Sequence, residues 1–265
     1  MQKHVLLAII VSYFIRNSEE LSTMMNPFTT LPRLFAVYTG ARGFLKSSPM
    51  LDKLRAEGRT EEEKECIRVA QKDFIEKTAP KIGLSFEVTG EENIPESGPF
   101  MVYSNHQSYA DILAMIYLFR DHCQMGYVAK EEWRKLKPLA KAIEYSRSVF
   151  LVRGNPREAV RSVKEVSELL AMGFNLVIFP EGTRSQCHEM GEFKAGAFKF
   201  AEKGKVPVLP VTLDGGYHLL EEKGTYQPTT VKITVHPLVH IEQMDKHQQK
   251  EAAAQIEATI RSALD

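Results

Sequence analysis

The chain is poor in cysteine. Cys66, Cys123 and Cys187 are the only 3 in 265 residues, and no two of them form a CxxC pair. That excludes a disulfide scaffold and a cysteine-ligated zinc site, and it fits a reducing compartment. Net charge is also lacking: 34 Lys and Arg balance 34 Asp and Glu, which argues against a nucleic-acid-binding protein. The apolar stretch Val5–Ile15 is too short to cross a bilayer, which takes roughly 20 residues. Lys3 is the only lysine or arginine before it and no small-residue cleavage site follows, so a secretory signal is poorly supported. There is no GxSxG elbow, no internal repeat and no low-complexity tract.

What is present is a recurrent placement. Four short polar blocks each fall just past the end of an apolar run: Asn105–Asp111 after Phe100–Ser104, Lys130 after Gln124–Ala129, Arg153-Gly154-Asn155 after Ser148–Val152, and Pro180–Arg184 after Phe174–Phe179. Helical patterns separate the runs. Strand–helix–strand order implies parallel strands joined by crossovers, with their carboxyl ends on one edge of the sheet, where such sheets bind ligands. The expected fold is α/β, a largely parallel or mixed sheet flanked by helices. One His–Asp pair and three cations then meet at one site.

The first fifty residues differ from the rest. Lys3, Arg16, Arg33, Arg42 and Lys46 outweigh Glu19 and Glu20. Val5–Ile15 is apolar all round apart from Ser12, and Leu31, Leu34, Phe35, Tyr38, Arg42 and Leu45 recur at helical spacing. Two basic-apolar helices of this kind can lie in one leaflet, or they can pack on the domain. The expected division is residues 1–48 as an N-terminal membrane-associated helical motif and residues 49–265 as the α/β domain. A chain beginning near Leu51 is then expected to be more soluble and to keep much of its fold.

Further along, Thr60 and Glu63 have capping-box spacing and open a helix expected to end near Pro80, with Ile67, Ala70 and Phe74 as its stripe. Leu84–Gly90 alternates as a half-buried strand. Asn155-Pro156 reads as N-cap and first turn of a helix to about Met172. Phe193–Lys203 reads as a short helix. Val206–Leu213 contains Pro207 and Pro210, which places it at a sheet edge or an irregular end. Val231–Ile241 alternates as a strand, and Lys246–Leu264 closes as a helix.

Each block has its own chemistry. His106 and Asp111, on one continuous helix, would stand about 140° apart and could not touch. A turn between them lets Asp111 reach back to the imidazole, giving an oriented base near neutral pH. The alternative is that Asp111 only caps the helix starting near Ser108. Ser104, Ser108 and Cys187 are candidate nucleophiles by proximity alone, so the base most simply activates a hydroxyl of the substrate. Arg153, at a strand-to-helix junction, suits phosphate, as do Arg184 and Lys130; the alternative for each is a plain surface cation. Glu181 cannot welcome phosphate and orients Arg184, a backbone group or a substrate hydroxyl. Gly182 allows a tight turn.

Together the blocks resemble the lysophosphatidic acid/glycerophosphate acyltransferase family. The resemblance rests on Asn105–Asp111 as Asn-His-four residues-Asp, on Phe150–Arg153 within Gly-x-x-Phe-Ile-x-Arg, on Phe179–Arg184 as Phe-Pro-Glu-Gly-Thr-Arg, and on Val206–Val211 as the fourth block. All occur in the family's order within roughly residues 84–215. Arg147 stands where the second block has glycine, which bears on local backbone shape. The resemblance implies an enzyme like the family's bacterial lysophosphatidate-acylating members. It would carry an acyl chain from acyl carrier protein or coenzyme A to the free hydroxyl of lysophosphatidate, giving phosphatidate. His106 and Asp111 would be catalytic. Arg153, Arg184 and Lys130 would hold the phosphate, and Asn105, Glu181, Gly182 and Thr183 would shape the acceptor site. No metal and no cofactor are implied beyond the acyl-thioester co-substrate. The partner is a membrane surface, at the cytoplasmic face of the cell membrane. Glycerol-3-phosphate or another lysophospholipid as acceptor is the alternative, and a catalytically dead membrane-binding module is a further one.

Overall fold

The computed structural model describes residues 27–152 and 154–264. The expected helix Val5–Ile15 and the candidate Arg153 lie outside the described residues. The chain opens with α1 (Pro27–Phe44), α2 (Ser48–Ala56) and α3 (Thr60–Ile82). The strands are β1 (Leu84–Thr89), β2 (Met101–Ser104), β3 (Gly126–Lys130), β4 (Val149–Leu151), β5 (Leu176–Ile178), β6 (Val208–Asp214) and β7 (Thr229–Val235). Helices α4 (Ala110–Phe119), α5 (Lys137–Tyr145), α6 (Pro156–Ala171) and α7 (Ala195–Gly204) connect β2 through β6, and α8 (Lys246–Ser262) follows β7.

One seven-stranded sheet runs in the order β1-β7-β6-β2-β5-β3-β4. Every neighbouring pair is parallel except β6 with β7. The inner strands are short apolar runs because both of their faces are covered. Val102, Val177 and Leu209 belong to one core with α3 and α4. Met101, Tyr103, Leu176, Ile178 and Val208 belong to the other with α6, α7 and α8. Since β2 to β6 all run the same way, the carboxyl ends of five strands share one edge, as the block spacing implies.

Four local expectations need correction. Helix α3 passes through Pro80 and ends at Ile82, and no capping box opens it. Glu63 is instead buried, its carboxylate held by Arg55 and by two bonds of 2.7 Å from Arg147. The two-proline segment is no edge: β6 lies between β7 and β2. Pro210 is tolerated because its nitrogen faces the β7 side at a gap, between the Val208–Val239 bridge and the ladder that starts at Val211. Its carbonyl still accepts His236 N at 3.0 Å. The third correction concerns α1, which is packed on the domain. Thr30, Leu34, Ala41 and Phe44 are buried, while Phe35 and Arg42 are exposed. Its crossing with α3 is close enough that a Cβ on Gly40 would sit 2.5 Å from Thr78 Oγ1, so the packing does not divide at residue 48. Fourth, the short helix before β6 begins at Ala195 rather than Phe193. The Asn155 cap holds, with its side chain accepting from Arg157 N and Glu158 N. No helix among the described residues is long and apolar enough to cross a membrane.

Candidate active site

The loop after β2 is fixed before any side chain is aimed. Asn105 is fully buried, and its amide donates to Leu213 O and accepts from Leu213 N, both at 2.8 Å. This clamps the loop to the end of β6. The loop after β5 is stitched alongside: Ser185 N donates to His106 O at 2.8 Å, and Gln186 N to Gln107 O at 3.1 Å. His106 N donates to Glu181 Oε1 at 2.6 Å, and Gly191 N to Glu181 Oε2 at 2.8 Å. Of the three roles open to Glu181, the structure shows it orienting backbone groups. Burial pushes its carboxyl up to about 7 despite the two N–H donors.

Helix α4 begins at Ala110, so a turn separates His106 from Asp111. His106 Nδ1 lies 2.8 Å from Asp111 Oδ2. The same oxygen accepts from Gln107 N at 2.7 Å and Ser108 N at 2.8 Å. Asp111 does not cap α4, whose N-terminus has no side-chain cap bond; the oxygen that meets the imidazole also ties down the loop ahead of the helix. Asp111 is fully buried, and its Oδ1 has no hydrogen-bond partner among the described residues. The imidazole stacks on Phe179, with ring centroids 4.1 Å apart and planes 14° from parallel. Burial holds the imidazole below its ordinary range. Asp111 opposes this, and the nearby charges of Arg184 and Lys130 add to it. A carboxylate on Nδ1 keeps the proton there and leaves Nε2 as the acceptor.

Arg184 does not stand alone. Its Nη1 donates to Glu221 Oε1 at 2.8 Å, and its guanidinium lies 3.5 Å from the centroid of Tyr109. Tyr109 meets Trp133 edge to face at 5.5 Å. Lys130 ends β3, on the edge that carries His106. Gly182 takes φ 73° with its N–H on Phe179 O, and Thr183 is exposed at the rim. The structure thus brings His106, Asp111, Lys130, Glu181, Gly182 and Arg184 to one edge, with Asn105 beneath them. Among the described residues no cluster of His, Cys, Asp or Glu is arranged to hold a metal ion. The arrangement can abstract a proton beside a cationic surface.

Residues 85–214 match the family model described as Acyltransferase. The structure of the 1-acyl-sn-glycerophosphate (LPA) acyltransferase PlsC from Thermotoga maritima is similar over 88% of this chain and 96% of that one, with a TM-score of 0.66 and 26% identity. Residues 85–214 thus resemble an acyltransferase domain. The domain's relatives by sequence include a chloroplastic 1-acyl-sn-glycerol-3-phosphate acyltransferase of Brassica napus, 33% identical over 58% of this chain and 45% of that protein. They also include the 1-acyl-sn-glycerol-3-phosphate acyltransferase of Pseudomonas aeruginosa, 30% identical over 60% of this chain and 61% of that protein. The chain spans about half the length of the curated relatives it matches.

Within residues 85–214, none of the three candidate nucleophiles engages His106. Ser104 Oγ donates to Asn105 O, Ser108 Oγ to Glu221, and Cys187 Sγ to Glu189 O. Arg147 keeps the backbone that glycine favours, with φ 61°, and its side chain is held by Glu63. Two buried residues of the site escaped sequence reasoning. Gln107 accepts from Gly215 N and donates to His188 O. Glu221, beyond the matched region, accepts from Arg184, Ser108 and Tyr109. Neither has a spacing that marks it, since their partners are set by the sheet order and not by the chain.

Proposed function

We propose that the protein transfers an acyl chain from an acyl thioester to the sn-2 hydroxyl of 1-acyl-sn-glycerol-3-phosphate, giving phosphatidate. The observation that carries this reading is the His106–Asp111 pair at 2.8 Å, in a chain whose relatives are named for that reaction. With the proton held on Nδ1, Nε2 takes the proton of the acceptor hydroxyl. The hydroxyl oxygen attacks the thioester carbonyl, the C–O bond forms and the C–S bond breaks. The proton on Nε2 passes to the departing thiolate. Arg184, Lys130 and Arg153 hold the acceptor phosphate. Glu181, Gly182, Thr183 and Asn105 shape the acceptor site through the loops they fix. The reading needs neither a metal nor a cofactor, and the donor is an acyl carrier protein or coenzyme A thioester.

The acceptor sits in a membrane, so the protein works at a membrane surface, at the cytoplasmic face. Residues 1–48 carry the basic excess that suits an anionic lipid surface. His106, Asp111, Glu181 and Arg184 are all present and assembled, which disfavours a dead binding module. The test is phosphatidate formation by purified protein from lysophosphatidate and a panel of acyl thioesters. Faster acylation of glycerol-3-phosphate would assign the alternative acceptor, and thioester hydrolysis without an acylated product would overturn acyl transfer.

A further inference from the structure

We infer that Glu221 is the positioning residue for the acceptor phosphate. It fixes the Arg184 guanidinium in place and ties it to the loop that carries the His106–Asp111 pair. The inference rests on the acyl-transfer reading and adds to it a residue that lies outside residues 85–214.

Glu221 sits in the turn after the short helix Gly216–Leu219, beyond the carboxyl end of β6. Its side chain is 1% exposed; burial pushes its carboxyl up from the ordinary range, and Arg184, Ser108 and Tyr109 N oppose that shift. Oε1 accepts Arg184 Nη1 at 2.8 Å and Tyr109 N at 3.1 Å, and Oε2 accepts Ser108 Oγ at 2.8 Å. Ser108 Oγ in turn accepts Ala110 N at 3.0 Å, at the start of α4. One carboxylate therefore joins three segments: the loop after β2, the loop after β5 and the turn after β6.

The geometry around Arg184 shows what this joint does. The guanidinium is a planar fork with five N–H donors. One edge is taken by Glu221 and one face by the Tyr109 ring. Among the described residues Arg184 makes no other hydrogen bond, so its remaining donors are available in a fixed plane. A fork held this way presents two parallel N–H groups to a phosphate with little ordering cost left to meet on binding. Glutamine fits the same joint. Its oxygen can accept Arg184 and Tyr109 N, and its amide can donate to Ser108 Oγ, a hydroxyl able to reverse its role. Alanine offers none of these. Aspartate keeps the charge but is one methylene too short to reach both loops.

The test is steady-state kinetics with lysophosphatidate and an acyl thioester for the parent, Glu221→Ala, Glu221→Gln, Glu221→Asp, Arg184→Ala and the Glu221→Ala/Arg184→Ala double variant. Glu221→Ala should raise the acceptor KM about tenfold, the scale of one lost charge-assisted contact, with the donor KM unchanged. Glu221→Gln should restore the acceptor KM to within about threefold of the parent, and the double variant should match Arg184→Ala alone. If Glu221→Ala does not fold, Glu221→Asp gives the same reading, because it keeps the buried charge. An unchanged acceptor KM in Glu221→Ala or Glu221→Asp would overturn the inference. So would a loss confined to kcat, or a double variant about tenfold worse than Arg184→Ala. A parent that acylates neutral monoacylglycerol as readily as lysophosphatidate would instead remove the phosphate site itself.

Discussion

His106 combines two opposed influences that fix how it should titrate. Burial and the positive charges of Arg184 and Lys130 lower it from 6.5, and Asp111 raises it. The net direction is down, so the neutral, proton-accepting form persists further into acid than for a free histidine. The acid limb of kcat should therefore have its midpoint below 6.5. Lys130→Ala removes a charge that disfavours imidazolium, and the limb should move to higher pH, as a kcat–pH profile would record. His106→Ala should lower turnover by roughly 10²–10⁴-fold with an unchanged circular dichroism spectrum. Activity within twofold of the parent would remove it from the mechanism. The contact between this pair was legible from six residues of sequence because its two members are local and the turn between them is short. Glu181 was legible as a residue but not in its role, since its partners His106 N and Gly191 N are backbone groups that no motif names. Glu221 and Gln107 were not legible at all.

Between elements, the second oxygen of Asp111 sets a steric demand on the turn after β6. A Cβ on Gly216 would sit 2.7 Å from Asp111 Oδ1 and 3.3 Å from Ser108 Cβ. Gly216→Ala should displace Asp111 and lower kcat by at least tenfold, on the scale of a misoriented base, while the melting temperature falls only slightly. Steady-state kinetics beside a thermal melt separates the two. Arg147 poses the converse case, a large side chain held in a left-handed backbone. Arg147→Gly relieves about 1 kcal/mol of that backbone cost but removes charge-assisted bonds to buried Glu63, which Arg55 still pairs, a loss of about 1.5–3 kcal/mol. The variant should be destabilised by about 0.5–2 kcal/mol in urea unfolding, although the family pattern has glycine there. The proline rule failed at β6 for a reason of the same scale. Pro210 bars a strand interior only where its nitrogen faces a ladder, and here the neighbouring chain leaves a gap at that point.

At the scale of the molecule, α1 belongs to the core. A chain beginning at Leu51 would lose Leu34 and Phe44, each stabilising by about 1.5–3 kcal/mol, and would bare the α3 surface around Phe74 and Thr78. That sum rivals a stability of about 5–15 kcal/mol. Such a chain should melt earlier and aggregate more than one beginning at Pro27, contrary to the expectation from composition, and paired thermal melts would show it. The sheet's parallel character and its functional edge were readable from the order of the blocks, whereas the packing of α1 was not, because an apolar stripe fits a lipid surface and a helix face equally well. The Asn105–Leu213 clamp carries a consequence for time rather than for stability. Its two bonds join positions 108 residues apart, and closing a loop of that length costs about 4 kcal/mol of chain entropy. Helices and local turns form without it, but the histidine loop has no fixed shape until β6 has joined β2. During refolding from urea, far-ultraviolet ellipticity should therefore recover first, and turnover should return in a slower phase set by the arrival of β6.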